Sequence, residues 1–184
     1  MKKFLILFLF ALFSFNTAFS KEIAFINMDE VAKGSNALKK ANEQLQKEKS
    51  ELETLFKKKE EELKKEKEDL ESKAAIYTKE VLQQKAIDFQ KKVIAFQESV
   101  KQKEGELQNK LTKCLLVLND KVIEIINKAM TEEQFSSKYS SVAITSAFIY
   151  YNKNDEITLE ILKRLNKEKL DLLKLSEQQN KRLK

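Results

Sequence analysis

Apolar residues are spaced differently in successive stretches of this chain, and each spacing predicts an element. Phe4 to Phe13 is an unbroken apolar run. Residues 22–28, Glu-Ile-Ala-Phe-Ile-Asn-Met, form a second run, which reads as one strand buried on both faces or nearly so. Gly34-Ser35-Asn36 breaks the pattern, and Ser35 or Asn36 can cap the helix after it. That helix runs from about residue 36 to about residue 72. It opens with a heptad stripe of Leu38, Ala41, Leu45, Leu52 and Leu55, then thins to Phe56, Leu63 and Leu70. Between Gln46 and Asp69, 17 of 24 residues are Lys, Glu or Asp. A helix this polar cannot be buried in a core, so it must be a solvated arm touching one neighbour along a narrow seam.

Ala74 to Thr78 interrupts the charge pattern and is the candidate tip of a hairpin. No Gly or Pro marks a turn there, so one uninterrupted helix from 36 to 130 is the competing reading. The second helix, about 78 to 130, carries Leu82, Ala86, Phe89, Val93, Phe96 and Val100 at coiled-coil spacing, with Lys103 in an apolar slot before Leu107. Two successive steps of four around Leu107 make a stutter, which locally unwinds a supercoil. The stripe continues through Leu111, Cys114, Leu118, Val122, Ile125 and Ala129, and Leu115 to Ile126 is apolar on more than one face. The helix therefore begins as an exposed arm and ends inside a packed body.

Thr131 to Gln134 reads as a break with a capping box. Val142 to Ile144 and Ala147 to Tyr151 read as two strands joined by a tight turn at Thr145-Ser146. After a polar loop, Thr158 is placed to cap a last helix with Leu159, Leu162 and Leu165 on one face; Leu170 to Leu175 extends it, and Ser176 to Lys184 reads as frayed or disordered. The fold class is mainly α with a small β part: a long coiled-coil hairpin on a small β-containing body. The body takes residues 21–35 and 111–166, the arm 36–110, and 167–184 is a C-terminal extension. So lean a chain buries little by itself, and oligomerisation would complete its core.

Composition then adds a compartment. Lys2 and Lys3 precede the first apolar run, and Ala18-Phe19-Ser20 puts small residues where signal peptidase reads them, so residues 1–20 are a signal peptide cut after Ser20. An uncleaved anchor is the alternative, but the run is shorter than the roughly 20 residues a spanning helix needs. Cleavage lowers the formal charge from +6 to +4. There is no Pro and there are only 2 Gly, which permits long helices. The single cysteine, Cys114, sits where burial begins and reads as a small core residue, with an intermolecular bridge as the other option.

Enzyme chemistry finds no purchase. The chain has no His, hence no Ser-His or Cys-His pair and no imidazole metal ligand. Gly34-Ser35 with Lys39 and Lys40 does not match a phosphate loop, and the carboxylates of 48–71 read as a solvated ion-pair face, not a Ca²⁺ site. The expectation is a non-enzymatic chain with no cofactor. Nucleic acid is a poor partner for an exported chain that mixes acids with its lysines; anionic clients or anionic lipid head groups fit better. Lys57, Lys58, Lys59, Lys64 and Lys65 cluster on the first arm helix, and Lys79, Lys85, Lys91 and Lys92 lie near the tip and the start of the second. Ile76 and Tyr77 are grip points at the tip or the packing of a misplaced turn.

Two flanking motifs carry a family resemblance. KEIAFINMDEV at the mature N-terminus resembles the opening strand of the Skp/OmpH family of periplasmic chaperones, and SSVAITSAFIYYNKNDEITLEILKRLN resembles its closing segment. The likeness covers about residues 21–166. Departures are Ala32 where an aromatic is common, Glu156 where Asp precedes Ile-Thr, and a serine-rich strand at 140–145. The resemblance implies a periplasmic homotrimer whose strands build a central body, with Ile23, Phe25, Ile26, Val142, Ile144, Phe148 and Ile149 in it. Three hairpins then surround a cavity that holds unfolded outer-membrane β-barrel proteins without ATP. Leu63, Leu70, Ile76, Tyr77 and Leu82 would meet client apolar segments, and the clustered lysines would attract acidic ones. A structural spacer or adaptor of the envelope, with a rigid hairpin and one folded partner, is the rival.

Overall fold

The computed structural model describes residues 20–182, so the expected signal peptide lies outside the described residues but for Ser20. Strand β1 (Glu22–Ile26) leads into a short helix α1 (Met28–Gly34), then the arm helix α2 (Asn36–Ser72). A turn at 73–78 reverses the chain into α3 (Lys79–Thr131), which is succeeded by α4 (Glu133–Ser136) and β2 (Tyr139–Ile144). Helices α5 (Thr158–Lys167) and α6 (Leu172–Arg182) close the chain. The hairpin is real, and the uninterrupted-helix reading is excluded. At about 1.5 Å per residue, α2 is roughly 55 Å long.

Local chemistry explains the boundaries. The Ser35 hydroxyl accepts from the Leu38 amide at 3.2 Å and starts α2. The Thr78 hydroxyl does the same for Val81 at 3.4 Å and starts α3. Helix α1 is too short for a periodic signal, yet it is capped: Asn27 Oδ1 accepts from the Glu30 amide at 3.1 Å. Asp29 and Glu30 in its first turn and Lys33 in its last suit the helix dipole.

Strands β1 and β2 pair in parallel, with Ala24 opposite Val142 and Phe25 opposite Ala143. The expected strand Ala147–Tyr151 does not form. Thr145–Ala147 is a 3-10 turn instead, so β2 pairs with β1 and makes no tight hairpin with residues 147–151. The other edge of β1 is met by Glu156, and the Ile157 amide donates to the Phe25 carbonyl at 2.8 Å.

Two expected caps are also corrected. Thr131 remains inside α3 and donates to the Lys128 carbonyl, so no capping box forms at 131–134. The Thr158 hydroxyl accepts from the Asn27 amide at 2.9 Å and donates to Glu156 at 2.6 Å, which ties the start of α5 to the end of β1. Leu159 faces away, 71% exposed; Leu165 is buried and Leu162 packs against the core as expected, and Ile161 is buried in place of Leu159.

The core gathers Ala24 and Ile26 of β1, Val31, the root of the arm (Leu38, Ala41), Cys114 to Ala129 along α3, and Ile161 and Leu165. Cys114 is fully buried, as its place on the stripe predicts. Asn166 closes the junction of α1 and α2: its amide donates to the Gly34 carbonyl at 3.1 Å, and its oxygen accepts from the Asn36 amide at 2.8 Å. Gly34 has no positive φ. It is glycine because α5 approaches there, where a Cβ would press on the Leu162 side chain.

One ion pair makes the body pH-sensitive. Lys138 donates to Asp155 at 2.8 Å, and the Asp155 side chain is only 9% exposed. The hydrogen bond to Lys138 holds the Asp155 carboxyl below the usual aspartate range. A carboxylate depressed in the folded state stabilises above its unfolded pKa, and that contribution is lost as pH falls through the depressed value. The melting temperature of Asp155→Asn should therefore fall below that of the native chain at pH 7, with the gap closing as pH drops below about 4.

The extension is helical from Leu172 to Arg182, where the sequence predicts fraying from Ser176 on. Glu168 leaves the helical conformation and ends α5, so Leu170 does not extend that helix. Helix α6 then packs on α3 and touches α2 as well, burying Leu172 and Ser176.

Candidate functional site

The arm is where solvated surface and apolar side chains coincide. Helices α2 and α3 meet along the seam that the heptads predict, with Phe56 and Phe96 edge to face at 6.0 Å. Leu63 is buried in the described arm; Leu70, Tyr77 and Leu82 are half-buried. Leu55, assigned to the seam from its spacing, lies outside it at 58% exposure, and Phe56 takes its place. Two charge pairs tie the helices across the seam: Lys92 to Glu66 at 2.6 Å and Lys110 to Glu48 at 2.5 Å. Both are solvated, so each contributes about 0–1 kcal/mol, less in high salt.

The seam is not filled throughout. Near the arm's root it opens into a groove of about 380 Å³ lined by Leu45, Leu52, Phe56, Leu107 and Leu111. This is the stretch of the stutter, where Lys103 occupies an apolar slot and turns to pair with Glu106 at 2.7 Å. Gly105 lies beside it, and nothing stands within 4 Å of where its Cβ would be. A glycine inside a helix with open space around it weakens that helix and serves no close approach. Gly105→Ala should raise arm stability by about 0.5–1 kcal/mol, read as a higher midpoint in the helical melting signal.

The tip is built by the turn at 73–78, in which the Ile76 amide donates to the Lys73 carbonyl at 3.0 Å. Ile76 is 80% exposed there. Tyr77 is partly covered, with Lys85 Nζ 5.1 Å from its ring centre. The nine clustered lysines are all exposed. Lys59 pairs with Glu62 at 2.8 Å, Lys91 with Asp88 at 3.8 Å and Lys92 with Glu66. The hydrogen bond to Glu62 raises the Lys59 pKa and lowers that of Glu62. Lys57, Lys58, Lys64, Lys65 and Lys79 have no ion pair among the described residues. The Lys92–Glu66 pair sets Lys64 and Lys65 of α2 level with Lys91 and Lys92 of α3, so residues far apart in sequence share one belt of the arm.

Sequence reasoning misses residues outside the seam stripe. Val81, Ile87 and Ile94 of α3 are more than 40% exposed. A signal for two of them exists, because Ile87 and Ile94 are one heptad apart and repeat on a second face.

On the body, Phe25 and Ile26 are buried, Val142 is half-buried, and Ile23, Ile144, Phe148 and Ile149 are exposed. Phe148 and Tyr151 flank the Phe25 ring at 5.1 and 5.0 Å. Leu116 and Ile123 of α3 are exposed as well, and Ile123 shares an apolar hollow of about 590 Å³ with Ile26, Met130, Val142 and Ile144. No group of side chains able to hold a metal ion occurs among the described residues.

A sequence model of the family "Outer membrane protein (OmpH-like)" matches residues 22–165, which spans β1 through nearly all of α5. The chain belongs to the OmpH-like family. The strands, arm and closing helix are therefore the family's shared elements, and α6 lies beyond the matched region. A protein assigned as an OmpH-like outer membrane chaperone in Caulobacter crescentus CB15 has a similar solved structure, with a TM-score of 0.72 at 16% identity. The alignment covers 86% of this chain and 92% of that one, so the OmpH-like fold is shared over nearly its full extent. No protein of curated function matches the chain.

Proposed function

We propose that this chain is an ATP-independent holdase of the periplasm, which binds unfolded outer-membrane β-barrel proteins and keeps them from aggregating in transit. Membership of the OmpH-like family supports a chaperone role. The observation that carries the reading is the arm surface: Leu55, Ile76, Val81, Ile87 and Ile94 stand exposed among lysines on helices too polar to pack further. An extended client would meet these apolar points singly. Each contact is weak, and their sum over several arms holds the client while leaving it mobile. Unpaired lysines such as Lys57, Lys64 and Lys79 would speed encounter with acidic clients and with anionic lipid head groups.

The same reading makes the active form a homotrimer. The exposed body residues Leu116, Ile123, Ile144 and Ile149, of which Ile123 and Ile144 line one apolar hollow, support burial against other copies. Export by the N-terminal segment and cleavage after Ser20 would place the trimer in the periplasm. The rival, a rigid spacer with one folded partner, calls for a filled hairpin; the open groove at Leu45–Leu111 and the exposed isoleucines favour the holdase.

The test dilutes a urea-unfolded outer-membrane β-barrel protein into buffer with or without the purified chain and no nucleotide, and measures light scattering over time. Suppression near one trimer per client supports the proposal. Unchanged aggregation would remove it in favour of the spacer.

A further inference from the structure

We propose that α6 is a releasable strap that fixes the root of the arm: engaged, it confines bending to the stretch around Gly105; released, it lets the whole hairpin swing from the body. The strap goes beyond the holdase reading and is tested without a client.

Helix α6 lies across α3 and touches α2, so it spans both legs of the hairpin where they leave the body. Its hold centres on one ridge. Leu172 and Ser176, one turn apart, are fully covered, and Leu172 joins the core formed by Leu38, Ala41, Cys114 and Leu118. Leu173 and Leu175 are half-buried beside it. Unfilled space flanks this ridge on both sides. One gap of about 290 Å³ separates Leu173 and Glu177 from Asn109 and Lys113, and another of about 280 Å³ separates Leu175 and Gln178 from Val117 and Lys121. Beyond the ridge, Gln179 donates to Asp120 at 3.2 Å, an exposed contact that water can replace.

The strap also has a hinge and a reason to come away whole. Glu168 to Asp171 links it to α5 in four residues, and the Asp171 carboxylate accepts from the Lys174 amide at 3.2 Å. An 11-residue helix is marginal without tertiary support, so release and unfolding of α6 are one event. Contacts of this kind open before the rest of a domain does.

The position of the strap decides where the arm bends. It lies along α3 from about Glu106 to Glu124, so its outer end meets the inner end of the open groove at Leu107 and Leu111, and Gly105 lies just outboard. With α6 engaged, the weakest part of the hairpin is the outboard stretch with the groove, the stutter and Gly105. With α6 away, the root loses its third helix, and the pivot moves inward to the body. Cys114 reports the state, since its thiol is buried in the same core cluster as Leu172 of the strap.

The experiment compares the full chain with one ending at Lys167. Maleimide labelling of Cys114 should be about ten-fold faster or more in the shortened chain, because its cover is gone. In a Cys114→Ala background, spin labels on Thr78→Cys and Lys163→Cys, diluted with unlabelled chain, read the distance from tip to body. That distribution should broaden when the tail is removed. A full chain in which Asp120→Cys and Gln179→Cys are joined by a short bis-maleimide, with ketone-reactive spin labels carried on p-acetylphenylalanine at positions 78 and 163 in place of cysteines, should give a narrower distribution than the unlinked chain. Equal labelling rates, or a folded shortened chain with an unchanged distribution, would overturn the strap. Should the shortened chain lose its helical signal, the linked chain decides, and an unchanged width there would overturn it equally.

Discussion

Ile161→Ala will destabilise the body by about 3 kcal/mol, within the roughly 2–5 kcal/mol that such truncations cost in a packed core. Ile161 is fully buried on α5, where the chain must seal β1, α1 and α3 at once. Its neighbours cannot collapse into the space easily, since Thr158 and Asn166 on the same helix are held by Asn27, Glu156, Gly34 and Asn36. The contrasting change is Leu159→Ala, two residues away and 71% exposed, which should move stability by about 0.5 kcal/mol or less in the isolated chain. Arm helices dominate the circular dichroism, so the body is better monitored by tyrosine fluorescence in a Tyr77→Phe background, where the remaining tyrosines all lie on the body and Tyr139 is buried beside Phe135. A urea midpoint lowered for Ile161→Ala and not for Leu159→Ala is the expected result.

The other large effect is on function. A chain carrying Ile76→Ser, Ile87→Ser and Ile94→Ser should need about ten-fold more protein to suppress client aggregation, because three weak apolar contacts per arm are removed from a multivalent surface. Its melting temperature should stay within about 2 °C of the native chain, since exposed positions contribute little to folding. Leu63→Ser is the instructive control. Leu63 is buried at 8% exposure, so its replacement should loosen the hairpin and lower the melting temperature along with activity. A triple variant that suppresses aggregation as well as the native chain would show that the client does not lie on these faces.

Much of this architecture is legible from the residues because the arm obeys local rules. Ser35 caps, Pro is absent, and charge runs unbroken to Ser72, so the bounds of α2 can be read directly. Tertiary partners decide the rest. Ser140 and Ser141 have little strand propensity of their own, yet they extend β2 because β1 offers a parallel edge, with a register shift between Glu22 and Ile23 that leaves Ser140 unpaired. Ala147 to Tyr151 has strand character and no partner strand among the described residues, so it stays irregular. Ser176 to Lys184 reads as frayed or disordered because its composition is polar, but Ser176 is buried one turn beyond Leu172 at a site on α3 that no local pattern encodes. The arm's candidate contacts divide the same way. Ile76 is legible as a tip residue, while Ile87 and Ile94 hide behind a stronger seam stripe that shares their heptad.

The most direct test of the central claim is where an unfolded client touches the chain. A photo-crosslinking residue would be placed singly at Ile76, Ile87 or Ile94 on the arm and, for comparison, at Lys163 on the body, then irradiated with an unfolded outer-membrane β-barrel protein. The holdase reading predicts strong crosslinks from the three arm positions, weak ones from Lys163, and loss of all of them once the client has folded. Crosslinks confined to the body, or equally strong with the folded β-barrel, would contradict it.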